Sequence, residues 1–140
     1  MKLTKEKIRN LYKKYNHLYF DDLLPNTLSV VLNNEHAIAS VVCAKERKTK
    51  KIKVALWLSD KYEWSSLTLR DVILHEMIHV YVYVKIGHLP YFRQHGINFK
   101  RKMKSLNKQY GFNITVKATS DFIKNLSKKE LRTDGVDADS

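Results

Sequence analysis

Two histidines and a glutamate in the sequence HEMIH, residues 75–79, have the types and spacing of a metal-dependent hydrolase site. On a helix, His75 and His79 lie one turn apart on the same face, close enough to hold one metal ion. Glu76 lies beside them, about 100° around the helix from His75. In such sites the carboxylate is not a ligand but a general base for the water that zinc activates. The pattern predicts a peptidase with one zinc ion per chain, two imidazole ligands and Glu76 as the base.

A catalytic zinc ion needs a third protein ligand, and reach along the chain ranks the candidates. If the helix continues to Ile86, it carries the chain roughly 10 Å past His79. His88 follows after two residues, at most about 7 Å of return, so it hardly reaches the metal. His95 follows nine residues after Ile86, with up to about 30 Å of reach, and opens the next predicted helix. We therefore predict His95 as the third ligand, with His88 a poor second.

Other zinc-peptidase arrangements match this sequence less well. The longer metzincin motif requires Gly at position 82 and His at 85, where this chain has Val82 and Lys85. Glu130 is the only glutamate after the motif, and it lies in a polar segment near the C-terminal end. Cys43 could complete a deformylase-like site, but no flanking sequence supports this, and the role of a small buried apolar residue is favoured.

Hydrophobic spacing predicts the elements that position these residues. A helix from Thr4 to Phe20, capped by Thr4, comes first. Three short strands follow at 28–32, 37–44 and 52–58, with Asn33 and Asn34 as a turn, and short connections favour an antiparallel sheet. The run 67–86 is apolar on nearly every side, which predicts a buried helix that ends at Gly87.

The C-terminal third is predicted to continue in the same α+β style. A helix follows His95 and ends at Gly111, a last short strand spans Phe112 to Val116, and a helical turn spans 120–126. We predict one domain over residues 1–126 and a polar, flexible tail over 127–140.

The charge of the chain predicts a polyanionic partner. Lys and Arg number 26 against 14 Asp and Glu, a formal net charge of +12. The excess is clustered in two runs, KERKTKKIK at 45–53 and KRKMK at 100–104, which favours nucleic acid over mere solvation. Trp57 and Trp64 could stack on unpaired bases, although a place in the core is the favoured interpretation for both.

Composition also limits the compartment. A single cysteine excludes an intramolecular disulfide and a four-cysteine zinc ribbon, and suits a reducing environment. The first 15 residues contain no apolar signal region, and the most apolar stretch, 72–84, is interrupted by His75, Glu76 and His79. We expect a cytoplasmic protein that can associate with the nucleoid, without a membrane span.

Substrate binding can also be anticipated. Peptidases of this kind hold substrate as an added strand along a sheet edge, and the alternating strand 52–58 is the candidate edge. Stabilisation of an oxyanion needs a Tyr, His or Arg near the metal, and the sequence leaves four candidates open: Tyr83, Tyr91, Arg93 and His88.

Three stretches resemble the SprT-like family: LYKKYNHLYFDDLLPNTLSV from Leu11, VILHEMIHVYVYV on the predicted buried helix, and QHGINF from Gln94. The resemblance implies a small zincin-like α+β domain in which His75, His79 and His95 bind zinc and Glu76 is the general base. It also implies action on proteins associated with DNA. Unlike many members, this chain has no zinc ribbon, so DNA contact would fall to the domain itself or to a partner. The alternative is a basic DNA-binding or regulatory module with a structural zinc site and no efficient proteolysis.

Overall fold

Three helices and three strands make up the part of the chain that the computed structural model describes, residues 1–33, 38–90 and 93–116. The α+β class is confirmed, and the bounds of these six elements lie within two residues of those predicted. The predicted turn at 120–126, Glu130 and the tail boundary after residue 126 lie outside the described residues, as does Asn34. The elements are α1 (Lys5–Tyr19), β1 (Leu28–Asn33), β2 (Ala39–Lys45), β3 (Ile52–Ser59), α2 (Ser66–Ile86) and α3 (Ile97–Tyr110).

The sheet is mixed, so the antiparallel prediction is wrong for one of its two pairings. Strand order is β1-β3-β2, with β2 antiparallel and β1 parallel to β3. Short connections suggested that neighbours in sequence also pair, but β1 and β2 lie on opposite sides of β3. One face of β3, formed by Val54, Leu56 and Leu58, is almost completely buried. Because β3 buries this face and hydrogen bonds on both sides, it is the centre of the sheet.

Helix α2 packs against the buried face of the sheet and against α1 and α3. Its start is fixed by Ser65, whose side chain accepts from the Thr68 backbone N–H at 3.0 Å, and by buried Trp64, whose Nε1 donates to the Ser59 carbonyl at 2.8 Å. Its end is fixed by Gly87, whose φ of 104° favours glycine. Among the described residues, no helix has the length and apolar character needed to cross a membrane.

The loop after α1 is tied back to that helix by buried polar groups. The Asn16 side chain donates to the Leu24 carbonyl at 3.0 Å and accepts from the Leu24 N–H at 3.1 Å. The Tyr12 hydroxyl donates to the Pro25 carbonyl at 2.7 Å. These bonds satisfy the backbone of a tight turn in which Asp21 and Asp22 both have positive φ. They also set where the chain enters β1.

The predicted last strand, Phe112 to Val116, is wrong, because this segment pairs with no other strand in the described chain. Its backbone groups bond to side chains instead. The Asn107 side chain holds both the N–H and the carbonyl of Ile114, at 2.9 and 2.8 Å. The Thr115 carbonyl accepts from His75 at 2.8 Å. The segment is therefore fastened to α2 and α3 rather than to the sheet.

Candidate metal centre

Helix α2 places His75, Glu76 and His79 at the boundary between the core and a cleft. The two imidazole rings are one turn apart, with centroids 5.1 Å from each other. His75 and Glu76 are buried, at 2% and 4% relative exposure, and His79 is half-buried. Three ionisable side chains inside a core helix are costly unless they bind something. Their position on the most buried helix points to a role other than packing.

His95 completes a cluster of three imidazoles. Its Nε2 lies 3.4 Å from Nε2 of His75, and one ring nitrogen from each of the three histidines lies within 4.8 Å of the others. With metal–nitrogen bonds of about 2.05 Å, two ligands of a tetrahedral zinc ion are about 3.3 Å apart. The Nε2 atoms of His75 and His95 already have this separation, and three imidazoles would leave the fourth position of a tetrahedral ion open.

His95 is held by a turn and not by a helix, which corrects the prediction that it opens α3. It precedes Gly96, the N-cap of α3, and the helix begins at Ile97. The Gly96 N–H donates to the Arg93 carbonyl at 3.1 Å, which closes the turn. A Cβ at Gly96 would approach that carbonyl oxygen to 3.0 Å, so glycine suits the close turn that brings His95 to the cluster.

Phe99 supports the three imidazoles from the core side. Its ring centroid lies 4.9, 4.7 and 4.9 Å from those of His75, His79 and His95. Phe99 is 1% exposed and lies in the first turn of α3. One buried ring therefore limits the movement of all three histidines.

Hydrogen bonding settles which nitrogen of His75 carries the proton. The Thr115 carbonyl can only accept, so Nδ1 of His75 must be the donor in their 2.8 Å bond. Nε2 is then unprotonated, and its lone pair faces His95. Burial lowers the pKa of His75 to about 4 and that of His79 to about 3. Burial, with Lys100 nearby, also lowers the pKa of His95. At neutral pH all three rings are neutral, as metal ligands must be.

Glu76 is a buried carboxyl group beside the cluster. No hydrogen bond or ion pair to its side chain occurs among the described residues, and burial raises its pKa to about 8. A carboxyl group with a pKa near the working pH can both accept and release a proton, which general acid–base catalysis requires.

A family comparison agrees with this geometry. The model of the SprT-like family matches residues 8–118, most of the chain. The chain belongs to the SprT-like family. This family is associated with metalloprotease-like activity, and with the three-histidine cluster the match indicates a metallopeptidase-like domain. All three stretches that resemble the family lie within the matched residues, and the described structure gives each a role: the tied turn after α1, the helix α2 and the turn before α3.

The cleft of this SprT-like domain has a volume of about 420 Å³ and runs between α2 and the sheet. Its sheet side is β2, residues 39–43, and not the strand 52–58 that the sequence suggested. That prediction is wrong because β3 hydrogen bonds to strands on both sides. Strand β2 has one side free of strand pairing in the described sheet. This free edge borders the cleft.

The residues considered for stabilising an oxyanion, or as alternative metal ligands, have different positions relative to the cleft. Tyr83 and His88 line it, while Arg93 is exposed and Tyr91 lies outside the described residues. His88 is not part of the described cluster that could hold a metal ion. Cys43 also lines the cleft and is half-buried, and burial raises the pKa of its thiol to about 11. A protonated thiol is a poor metal ligand, which agrees with the apolar role favoured from the sequence.

Three contributors to the site were not predicted from the sequence. The Thr115 carbonyl could not be found, because a backbone acceptor leaves no signal in residue type. Phe99 was not singled out, although it follows His95 by only four residues in the stretch QHGINF that resembles the family. The role of β2 required the strand order.

Proposed function

We propose that this SprT-like domain is a zinc-dependent peptidase that cleaves protein chains at the His75, His79 and His95 centre. The observation that carries the proposal is the convergence of three neutral imidazoles beside one buried carboxyl group in an open cleft. Three histidine ligands with an open fourth position are typical of catalytic zinc, whereas structural sites are closed by four protein ligands. A zinc ion held there would polarise a substrate carbonyl and make water nucleophilic near neutral pH.

The protein's own groups supply the proton transfers. Glu76, as a general base, takes a proton from the attacking water and then gives it to the amine of the broken peptide bond. Its carboxyl group borders the cleft, from which the attacking water would come. Thr115 keeps the proton of His75 on Nδ1 and so leaves Nε2 free as a donor atom.

Substrate is proposed to bind as an extended strand along the free edge of β2. The backbone N–H and carbonyl groups of this edge would pair with the substrate backbone, which makes binding tolerant of sequence. The cleft lining beyond the histidines is largely apolar and includes Val41, Val82 and Leu89. Tyr83 and His88, which also line the cleft, are the candidates to stabilise an oxyanion, and they are tested by Tyr83→Phe and His88→Ala.

Glu76→Gln tests the proposal directly. The amide cannot accept the proton, so cleavage of an unfolded protein substrate should fall by at least about 100-fold. Zinc content should stay at the wild-type level because Glu76 is not a ligand. Glu46→Gln, an exposed carboxylate on the β2–β3 hairpin, is the matched control and should cleave as wild type does. Equal cleavage by Glu76→Gln and wild type would refute the role of Glu76.

The second candidate is a basic module that keeps zinc for structure. It is favoured by the net charge of +12 and by the position of the cluster, which ties α2 to the turn before α3. The buried carboxyl group argues against it, because a structural site gains nothing from Glu76. If zinc-loaded wild type shows no cleavage with or without DNA, and zinc removal unfolds it, this second function is the better description.

Nucleic acid is proposed as a partner of the hairpin between β2 and β3. Five cations, with Glu46 as the one acid, lie exposed between β2 and β3 or at their ends: Lys45, Arg47, Lys48, Lys50 and Lys51. Lys53 and the 37%-exposed Trp57 extend this surface along β3. Trp64 is buried and takes no part. Phosphates would pair with the cations while a base stacks on Trp57.

A second group of exposed cations, Lys100, Arg101 and Lys104, lies on α3 and is proposed as a separate contact for phosphates. Lys102 takes no part, since its ammonium lies over the rings of Phe20 and Tyr81.

Charge reversal tests the hairpin surface. Lys48→Glu with Lys50→Glu should weaken binding of a single-stranded DNA oligonucleotide by at least about tenfold and flatten its dependence on salt. The same reversal at Lys13 and Lys14, exposed on α1, is the matched control. Fluorescence anisotropy at several salt concentrations measures both. Equal losses in the two proteins would mean that only net charge matters, and association with the nucleoid would lose its support.

A further inference from the structure

The segment after α3 is held from two sides by side chains. On one side, the Asn113 backbone N–H donates to the Asp71 carboxylate and the Thr115 carbonyl accepts from His75. On the other side, the Asn107 amide bonds both backbone groups of Ile114. Alternate residues therefore direct their backbone groups to opposite neighbours, as in a strand, but both neighbours are helices.

The spacing of the two helical partners matches the spacing of the segment. Asp71 and His75 are four residues apart on α2, a rise of about 6 Å along one face. An extended chain advances about 6.6 Å over the two residues from Asn113 to Thr115. The face of α2 that carries the ligand His75 thus bonds two alternate residues of the segment, Asn113 and Thr115.

Asn107 holds the segment from the side of α3. It lies in the last turn of α3, and Gly111 follows in the left-handed conformation, so the chain turns back toward Asn107. Its donor and its acceptor are both used on one residue, Ile114, which fixes the position of that backbone in two directions. The next carbonyl along the chain is the one that receives the His75 proton.

We propose that Asn107 is a positioning residue for the metal centre, acting through the Ile114 and Thr115 backbone on the ring of His75. It touches neither metal nor substrate. It holds the Thr115 carbonyl where Nδ1 of His75 must donate, and this keeps Nε2 unprotonated and aimed at the cluster. The inference rests on the proposed metal site, but its central prediction concerns the proton on His75 and needs no metal.

Two variants of Asn107 distinguish the effect of its hydrogen bonds from the effect of its side-chain size. Asn107→Ala removes both bonds to Ile114. Asn107→Asp keeps the size and the acceptor for the Ile114 N–H, but it opposes the Ile114 carbonyl with a carboxylate oxygen. Gln109→Ala, exposed in the same helical turn and without a bond to Ile114, is the matched control. Circular dichroism and urea unfolding give the folded fraction of each protein.

Two readouts follow on the folded proteins. Nitrogen-15 NMR of the metal-free protein should give an Nδ1–H tautomer for His75 in wild type and Gln109→Ala, and a mixture of tautomers in both Asn107 variants. Competition with a chelator should give zinc affinities about 10- to 100-fold weaker in the Asn107 variants. A residue that merely stabilises the fold would shift the unfolding curve without changing the tautomer of the folded protein.

Each outcome of these measurements either supports or overturns the role of Asn107. Wild-type zinc affinity and an unchanged His75 tautomer in folded Asn107→Asp would overturn the proposal. If neither variant folds, the test uses wild type alone. An Nδ1–H tautomer of His75 together with slow amide exchange at Ile114 supports the proposal, and an Nε2–H tautomer overturns it. If wild type binds no zinc, the proposed function fails, while the tautomer measurement still tests the role of Asn107.

Discussion

Replacing Glu76 by Gln in the metal-free protein should change how the free energy of unfolding depends on pH. Burial raises the pKa of Glu76 from its usual 4.5 to about 8 in the folded protein. The folded state then keeps a proton that the unfolded state releases. The stability from this difference is fully present below pH 4.5 and is lost as pH rises through 8. Glutamine has no proton to release, so the free energy of unfolding of Glu76→Gln does not fall in this way as pH rises.

The magnitude follows from the shift. One pKa unit corresponds to about 1.4 kcal/mol. Between pH 5 and pH 8 the unfolded chain is mostly ionised at Glu76 while the folded protein is mostly protonated. Relative to Glu76→Gln, the wild-type free energy of unfolding should therefore fall by about 3 kcal/mol over this interval. The histidines titrate alike in both proteins, so their contribution cancels in the difference.

Urea unfolding followed by tryptophan fluorescence at pH 5, 6, 7 and 8 measures this difference, since Trp64 is fully buried. Glu46→Gln is the control, because its carboxylate is exposed to solvent and its removal should leave the pH dependence of wild type unchanged. Added zinc should shrink the difference, because a nearby cation favours the ionised carboxylate. A constant difference between wild type and Glu76→Gln from pH 5 to pH 8 would refute the protonated, buried state of Glu76.

Three further predictions concern the fold around the site. Asn16→Ala should lower the free energy of unfolding by roughly 2–3 kcal/mol, since both backbone groups of Leu24 lose their partner; a loss below about 0.5 kcal/mol in urea unfolding would contradict this. Gly87→Ala should cost about 1–3 kcal/mol, because its φ of 104° with ψ of −166° is nearly restricted to glycine; an unchanged midpoint would argue against it. Burial lowers the pKa of His75 from 6.5 to about 4, so this ring alone should cost the metal-free protein about 3 kcal/mol as pH falls between these values, in addition to the loss from His79. His75→Gln should remove the part of the loss that comes from His75, and equal acid sensitivity of the two proteins would exclude this cause.

The positions of His75, Glu76 and His79 on one buried helix could be predicted because the signal is local. Helical geometry alone places residues four apart on one face, and the apolar run around them predicts burial. The ends of α2 were predictable for the same reason, since Gly87 marks a stop that other residues adopt only with strain. His95 could be predicted as the third ligand from the length of chain and from the family resemblance. The turn that holds it could not be predicted, because it depends on a close approach at Gly96.

The sheet and the last segment could not be predicted, because their partners are remote in sequence. Strands that follow each other in sequence with a short connection usually pair, yet here β3 lies between β1 and β2. The strand at the cleft edge of the sheet is therefore β2 and not β3. Phe112 to Val116 has the composition of a strand, but its hydrogen-bonding partners are side chains on α2 and α3. Trp57 alternates correctly within β3 and still lies on the open face of the sheet, 37% exposed, because no described helix covers that face.

Zinc content, measured by native mass spectrometry in wild type, His95→Ala and His88→Ala, shows whether the three imidazoles form a metal centre. The three-imidazole centre predicts one zinc ion per chain in wild type and in His88→Ala, and its loss in His95→Ala. Wild type that takes up no zinc on titration would contradict the account. Retention by His95→Ala together with loss by His88→Ala would also contradict it, because the metal would then lie elsewhere in the cleft.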